Sequence, residues 1–236
     1  MRLFVAFMLA WMLALPMGDL AYCAPYRQFL EASFESRLGN AYLYGYGVPR
    51  DGALAKRYFE KACERGDKDG YFGLGQMYYM GREVEQDFAK AAYWYAKAEE
   101  AGHADASLAL ADMTLQGLGV TKDALRSQEL YKKAARLYEA EARKGSGMAQ
   151  YSLATMYAIG HGIRYDEEKA EYWYRMAKIS FEREAAEGSV LACYMLAMMY
   201  AYGDGLEQDL DLAAEWTERG QENAALFFYE SDHEGK

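Results

Sequence analysis

Residues 153–178 read LATMYAIGHGIRYDEEKAEYWYRMAK. Leu153, Met156 and Tyr157 fall at i, i+3 and i+4, so they share one face of a helix. Gly160 and Gly162 then interrupt the pattern, because a residue without Cβ can enter the left-handed conformation that ends a helix. Ile163 gives the loop an apolar side chain to tuck in. Asp166 stands just ahead of a second periodic run, where a carboxylate caps free N–H groups. That run, Lys169 to Lys178, carries Trp173 and Tyr174 as bulky wedges. The stretch predicts a helix, a tight turn and a second helix.

The pattern recurs five times. Gly45, Gly81, Gly117, Gly160 and Gly203 open the loops at spacings of 36, 36, 43 and 43 residues. Upstream stand Leu38, Leu74, Leu110, Leu153 and Leu196, each followed by Gly or Ala (39, 75, 111, 154, 197), small enough for helices to approach closely. Tyr follows at 42, 78, 157 and 200, with Thr114 as the exception. Asp51, Asp87, Asp123, Asp166 and Asp209 close the loops. No single pair can bury its apolar face, so the stack is the folding unit. The expected fold is an all-α solenoid over residues 26–230, with repeats at about 30–66, 67–102, 103–145, 146–188 and 189–230 and a tail at 231–236. The seven extra residues per repeat in the later copies amount to about two helical turns, roughly 10 Å. They predict lengthened second helices through 136–143, 179–186 and 221–229, a broader C-terminal half and an undisturbed buried face.

Composition narrows the function. The chain has 236 residues, a net charge of -10 and 22 Tyr against 3 Pro. An acidic chain is a poor match for nucleic acid, which needs clustered Lys and Arg, and any steering would favour a basic partner. Met1-Arg2, the apolar run Leu3 to Leu15 and the small residues beyond Pro16 have the form of a secretory signal over 1–23. The run is short for a bilayer span, which takes about 20 apolar residues; a membrane anchor is the alternative. Leu20 to Cys23 also resembles a bacterial lipobox, with Tyr22 off its pattern, so lipidation of Cys23 is a second fate. A periplasmic or secreted location is expected, lipid-anchored if Cys23 is modified. Cys63 and Cys193 lie near opposite ends of the array and are expected to be unpaired thiols.

No catalytic constellation stands out. The paired loop glycines lack the preceding strand and third Gly of a dinucleotide site. His103, His161 and His233 form no metal-binding spacing, and Gly145-Ser146-Gly147 is not a nucleophile elbow. Neither a metal nor a cofactor is expected. A binding face is. Counted from the Leu register, position +2 reads Asn40, Gln76, Asp112, Thr155, Met198. Position -1 reads Arg37, Gly73, Ala109, Ser152, Met195, and position +6 reads Tyr44, Met80, Gln116, Ile159, Tyr202. These registers share a face and vary in chemistry within a fixed frame, as a non-repeating partner requires. Arg37, Asn40, Tyr44, Gln76, Met80, Asp112, Gln116, Ser152, Thr155, Ile159, Met195, Met198 and Tyr202 are therefore the candidate partner-binding residues on the concave side. Tyr and Met there suit anchor residues.

The string Leu-Gly-X-X-Tyr-X-X-Gly-X-Gly-Val-X-X-Asp, then Lys-Ala-X-X-Trp-Tyr-X-Lys-Ala, resembles the Sel1-like repeat, a relative of the tetratricopeptide repeat. Residues 71–102 carry it with Glu83 in place of the second Gly, and residues 151–178 carry it with Tyr157, Gly160, Gly162, Asp166, Lys169, Ala170, Trp173 and Tyr174. The likeness covers roughly 30–220; Thr114, Leu130 and the seven-residue extensions depart from it. It implies a right-handed α/α superhelix acting as a non-catalytic adaptor or inhibitor in protein complexes. Exported bacterial members include envelope regulators, secretion and polysaccharide assembly factors, host-interaction proteins and immunity proteins against type VI secretion phospholipases. The expectation that follows is an interaction module of the bacterial envelope whose protein partner is a toxic effector or an assembly factor. An immunity protein is the alternative. A β-lactamase-like hydrolase is a further one, although the subgroup credited with that activity carries a disulfide in each repeat, which this chain lacks.

Overall fold

The computed structural model describes residues 34–45 and 48–233, with side chains as far as residue 223. The expected leader and Cys23 lie outside the described residues. Ten helices and no strand occur among those described. They are α1 (34–44), α2 (Gly52–Glu64), α3 (Lys68–Met80), α4 (Phe88–Glu100), α5 (Ala104–Gln116), α6 (Ala124–Arg143), α7 (Gly147–Ile159), α8 (Glu167–Ala186), α9 (Val190–Tyr202) and α10 (Leu210–His233). From α2 onward each helix packs chiefly on its neighbours in sequence, the arrangement of an α-solenoid. The last helix continues to His233, three residues into the expected tail.

Local chemistry sets the boundaries. Asp51, Asp87, Asp123, Asp166 and Asp209 each accept a backbone N–H from the first turn of the following helix, at 2.8 to 3.1 Å. The N–H of each of these Asp residues donates back to the first helix, to the carbonyls of Tyr42, Tyr78, Thr114, Tyr157 and Tyr200. The loop is thus clamped at both ends whatever side chain stands at the Tyr register. The first helices end at Gly81, Gly117, Gly160 and Gly203, all at φ between 65 and 78°, the region where an added Cβ is penalised.

The wedge sits one residue beyond the Trp register. Trp94, Trp173 and Trp216 are only half-buried, whereas Phe59, Tyr95, Tyr131 and Tyr174 are in the core. Phe59 fills a slot between Gly39 and Gly73, where a Cβ would come within 2.5 and 2.3 Å of its ring. Tyr95 likewise lies against Gly75. The small register residues of the first two repeats are therefore seats for the aromatic rings of the second helices.

The lengthening falls at the expected place. The second helices α2 and α4 have 13 residues, and α6 and α8 have 20. The added turns are packed: Tyr138, Ala142, Phe181 and Ala185 are all buried. Gln150 donates from Nε2 to the Ala142 carbonyl at 3.0 Å and accepts from the Ser180 hydroxyl at 2.8 Å.

The added turns also move the next repeat. After a short second helix the second loop position docks at the helix start, with Glu83 against Gly52 and Gly119 against the Phe88 backbone. These contacts lie one residue past the capping Asp. After a long one, Gly162 docks on Tyr131 and Gly205 on Tyr174, eight residues past it. The docking point has advanced by seven residues, about 10 Å along the axis. Seven residues fall only about 20° short of two full turns, so the same face is presented.

Candidate protein-interaction face

The candidate residues divide by half of the molecule. In the N-terminal half, the Tyr44 hydroxyl donates to Gln76 Oε1 at 3.1 Å, and the Arg82 guanidinium lies 5.5 Å from the centre of the Tyr44 ring. Arg37 is exposed, Asn40 half-buried, Met80 exposed. Gln76 is thus already engaged by its neighbour, on a polar rather than an apolar surface.

In the C-terminal half the middle residue of the Gly-X-Gly turn meets tyrosine hydroxyls of the preceding repeat. His161 reaches back one repeat: its Nε2 is 2.8 Å from the Tyr131 hydroxyl and 3.2 Å from Asp112 Oδ1. Tyr131 itself donates to Asp112. The equivalent loop residue Asp204 accepts from the Tyr151 hydroxyl at 2.6 Å, and Asp105 accepts from Tyr138 at 2.6 Å. Burial is the first cause, and the adjacent carboxylate the second, that pushes all three tyrosines above the usual phenol range. They keep their protons and act as fixed donors that orient Asp105, Asp112 and Asp204. Each carboxylate has about four acceptor positions, so one tyrosine, with His161 beside it at Asp112, leaves capacity for another donor. A tyrosine held protonated is poorly suited to act as a general base. The cluster is built to position acceptors.

Thr155 is also engaged. Its hydroxyl donates to the Tyr151 carbonyl at 3.0 Å and lies 3.2 Å from the Tyr174 hydroxyl. Ser152 is half-buried, and Gln116 is exposed. Met195 does not belong to the face. It is 7% exposed and packs with Cys193, Leu196 and Met199 in the core. Its helix is apolar on every side, so counting from Leu196 did not reveal which side is buried. The remaining three candidates are open: Ile159 is 64% exposed, Met198 43% and Tyr202 73%. Ile159 follows Thr155 by four residues on α7, as Tyr202 follows Met198 on α9, so the four positions form equivalent pairs in adjacent repeats.

Sequence reading missed the tyrosine–carboxylate pairs and the role of His161. The signal available was the set of Tyr residues at 131, 138 and 151, but their partners lie in other helices and loops. Cys63 and Cys193 are both free, as expected. Burial pushes the Cys63 thiol up to about 12, which makes it a poor nucleophile. Among the described residues no cluster of His, Cys, Asp or Glu could hold a metal ion, and no helix is long and apolar enough to cross a membrane.

Residues 32–67, 68–103, 104–138, 147–178 and 190–220 match the Sel1 repeat. No curated protein matches the chain. Among solved structures it is similar to a protective antigen of uropathogenic Escherichia coli with an SLR fold, at 27% identity over 81% of this chain and a TM-score of 0.42. This chain covers 46% of that one. A Sel1 repeat protein of Oxalobacter formigenes shares 28% identity over 81% of this chain and 73% of its own, with a TM-score of 0.43. One from Klebsiella pneumoniae shares 22% over 89% and 96%, with a TM-score of 0.47. Five matched repeats span most of the described helices, and the chain belongs to the Sel1 repeat family.

Proposed function

We propose that this protein is a non-catalytic interaction module of the bacterial envelope, exported by its N-terminal segment, which holds a protein partner on the face formed by its first helices. Sel1 repeat proteins are in general protein–protein interaction modules. The observation that carries the reading is the exposure of Ile159, Met198 and Tyr202 on consecutive first helices. Large apolar side chains grouped on an open surface mark interaction sites rather than solvated faces. The acceptors beside them, Asp112 and Asp204, are held in place before any partner arrives, which lowers the ordering cost of binding.

The test is a photo-crosslinking residue placed singly at 159 or 202 and, for comparison, at 93 or 172, the exposed tyrosines of second helices α4 and α8. In the envelope fraction of producing cells, positions 159 and 202 should yield the same discrete adduct, and positions 93 and 172 none. Adducts confined to 93 and 172 would move the interface to the second helices, and recovery of the protein in the cytoplasm would refute the export.

A further inference from the structure

Helix α9 reads VLACYMLAMMYAY, thirteen residues without a charge and with no side chain more polar than a Tyr hydroxyl or a thiol. A helix apolar on all sides is normally buried on all sides. Here Ala192, Cys193, Leu196 and Met199 are in the core, yet Leu191, Met198 and Tyr202 are 51, 43 and 73% exposed. The neighbouring first helix α7 is also uncharged and leaves Ile159 open. This is a helix face that lacks its partner.

The first helices of the last three repeats carry charge of one sign, and the bases near them lie elsewhere, His161 and Arg164 in the loop after α7 and Lys178 on α8. Across α5, α7 and α9 there is no Lys or Arg, and the only charged residues are Asp105 and Asp112. The loop after α9 adds Asp204 and Glu207 without a base. Asp105, Asp112 and Asp204 are the three carboxylates oriented by Tyr138, Tyr131 and Tyr151. The face is therefore an apolar strip edged by fixed carboxylates that can accept further hydrogen bonds.

We infer that the first-helix face of the last three repeats receives a basic amphipathic segment of its partner, an aliphatic stripe seated on Ile159, Met198 and Tyr202 with Lys or Arg side chains reaching Asp112 and Asp204. This inference rests on the interaction reading above and adds the chemistry of the partner. A second copy of the chain is a poor occupant, because its own Asp112 and Asp204 would meet like charges. An acidic segment or an anionic lipid surface meets the same repulsion.

Three fluorescent peptides of equal length serve as probes, each with a leucine face and the other face built from lysine, glutamine or glutamate. Their binding to the full chain is followed by anisotropy at low and high salt. The lysine peptide should bind, more weakly at high salt. Its affinity should fall about tenfold in Ile159→Ser/Tyr202→Ser, which removes anchors, and again about tenfold in Asp112→Asn/Asp204→Asn. Asn keeps an acceptor for each tyrosine, and the thermal midpoint of every variant reports whether the fold is retained. Glu129→Gln/Glu139→Gln, the same change of charge on second helix α6, should leave binding as it was. If the glutamate peptide binds as well as the lysine peptide, or the α6 variant weakens binding equally, the basic partner is overturned. The face itself then survives provided Ile159→Ser/Tyr202→Ser still loses the peptides. If that variant loses none, the interaction reading fails as well. Concentration-dependent dimerisation abolished by Ile159→Ser/Tyr202→Ser would assign the face to a second copy and overturn the inference.

Discussion

The first two repeats and the next two solve one stacking problem at two offsets. After α2 and α4 the following loop sits at the start of the second helix. After α6 and α8 it sits two turns further along, on Tyr131 and Tyr174. The same glycines, caps and apolar registers serve both arrangements, because two turns bring the helix back to nearly the same face. What changes is the company the loop keeps. In the short half, Arg82 meets Tyr44 and Leu118 joins the core cluster. In the long half, His161 and Asp204 land beside the tyrosine hydroxyls of the preceding repeat. Lengthening a helix by whole turns thus alters the surface chemistry of the array without altering its packing code.

The largest expected effect tests whether the added turns are core or overhang. Phe181 lies in the extension of α8, is fully buried, and packs where a Cβ on Gly147 would come within 2.7 Å of its ring. Phe181→Ala should cost about 4 kcal/mol, a loss similar to that of Phe59→Ala in the short half. Ile179→Ala, at a site 53% exposed at the first residue of the extension, should stay within about 0.5 kcal/mol. Urea midpoints measure all three. Equal, small losses at 179 and 181 would mean that the extension contributes no core.

The advance of the docking point is tested next. A Cβ on Gly162 would lie 1.9 Å from that of Tyr131, on a backbone at φ 72°. Gly162→Ala adds overpacking to left-handed strain and should cost about 3 kcal/mol. Gly188 has φ 92° but nothing within 4 Å of its Cβ position, so Gly188→Ala carries the backbone penalty alone, about 1 kcal/mol. Similar losses at the two sites, by thermal unfolding, would show that the loop does not dock closely on Tyr131.

Much of this was legible because it is local. A terminating Gly, a capping Asp and a seven-residue increment act within a few residues of where they are written, so the helix ends at Gly117 or Gly160 and the lengths of α6 and α8 follow from spacing. Adjacent aromatics of the second helix both read as wedges, and burial takes the one that faces Gly39 or Gly75, so Phe59 and Tyr95 are in the core while Trp94 is half-buried. The tyrosine–carboxylate pairs join residues 19 to 53 apart, two of them between α5 and α6 of one repeat and one between adjacent repeats, and no local spacing announces which side chains meet. Met195 was misassigned for the opposite reason. On α9 every residue is apolar, so no periodicity separates the buried side from the open one.

A smaller, pH-dependent effect arises at the junction of the two halves. The first helices α3, α7 and α9 are capped by Asp67, Ser146 and Ser189, and α5 by His103, whose Nδ1 accepts from the Ala106 N–H at 3.3 Å. Burial holds the His103 ring below the ordinary imidazole range, opposed by the Asp105 and Asp69 carboxylates. With the folded value below the unfolded one, the stability it contributes is complete above about pH 6.5 and is lost as pH falls below that. His103→Asn keeps an acceptor that does not titrate. Wild type should lose about 1 kcal/mol relative to this variant between about pH 7 and pH 5.5, the worth of one cap. Parallel thermal midpoints across that range would refute it.

The smallest effect concerns the one place where the short half departs from the glycine code. Glu83 occupies the second loop position at φ 57°, the only described non-Gly residue with positive φ, and it lies against Gly52. In the long half the loop supplies the Gly and the helix the side chain, as with Gly162 on Tyr131 and Gly205 on Tyr174. Here the roles are exchanged. Glu83→Gly relieves about 1 kcal/mol of left-handed strain, but it frees the unfolded chain by about 0.5–1 kcal/mol. The two terms nearly cancel, so stability should move by less than about 0.5 kcal/mol. Gly52→Ala, by contrast, would set a Cβ 1.8 Å from Glu83 Cγ. Glu83 Cβ also lies 2.3 Å from that position, so a side-chain rotation alone does not clear it. But Gly52 carries no left-handed strain, so the cost should remain below that of Gly162→Ala, and Glu83→Gly in the same chain should abolish it. A double variant as unstable as Gly52→Ala alone would show that the exchange of roles is not what lets this loop dock.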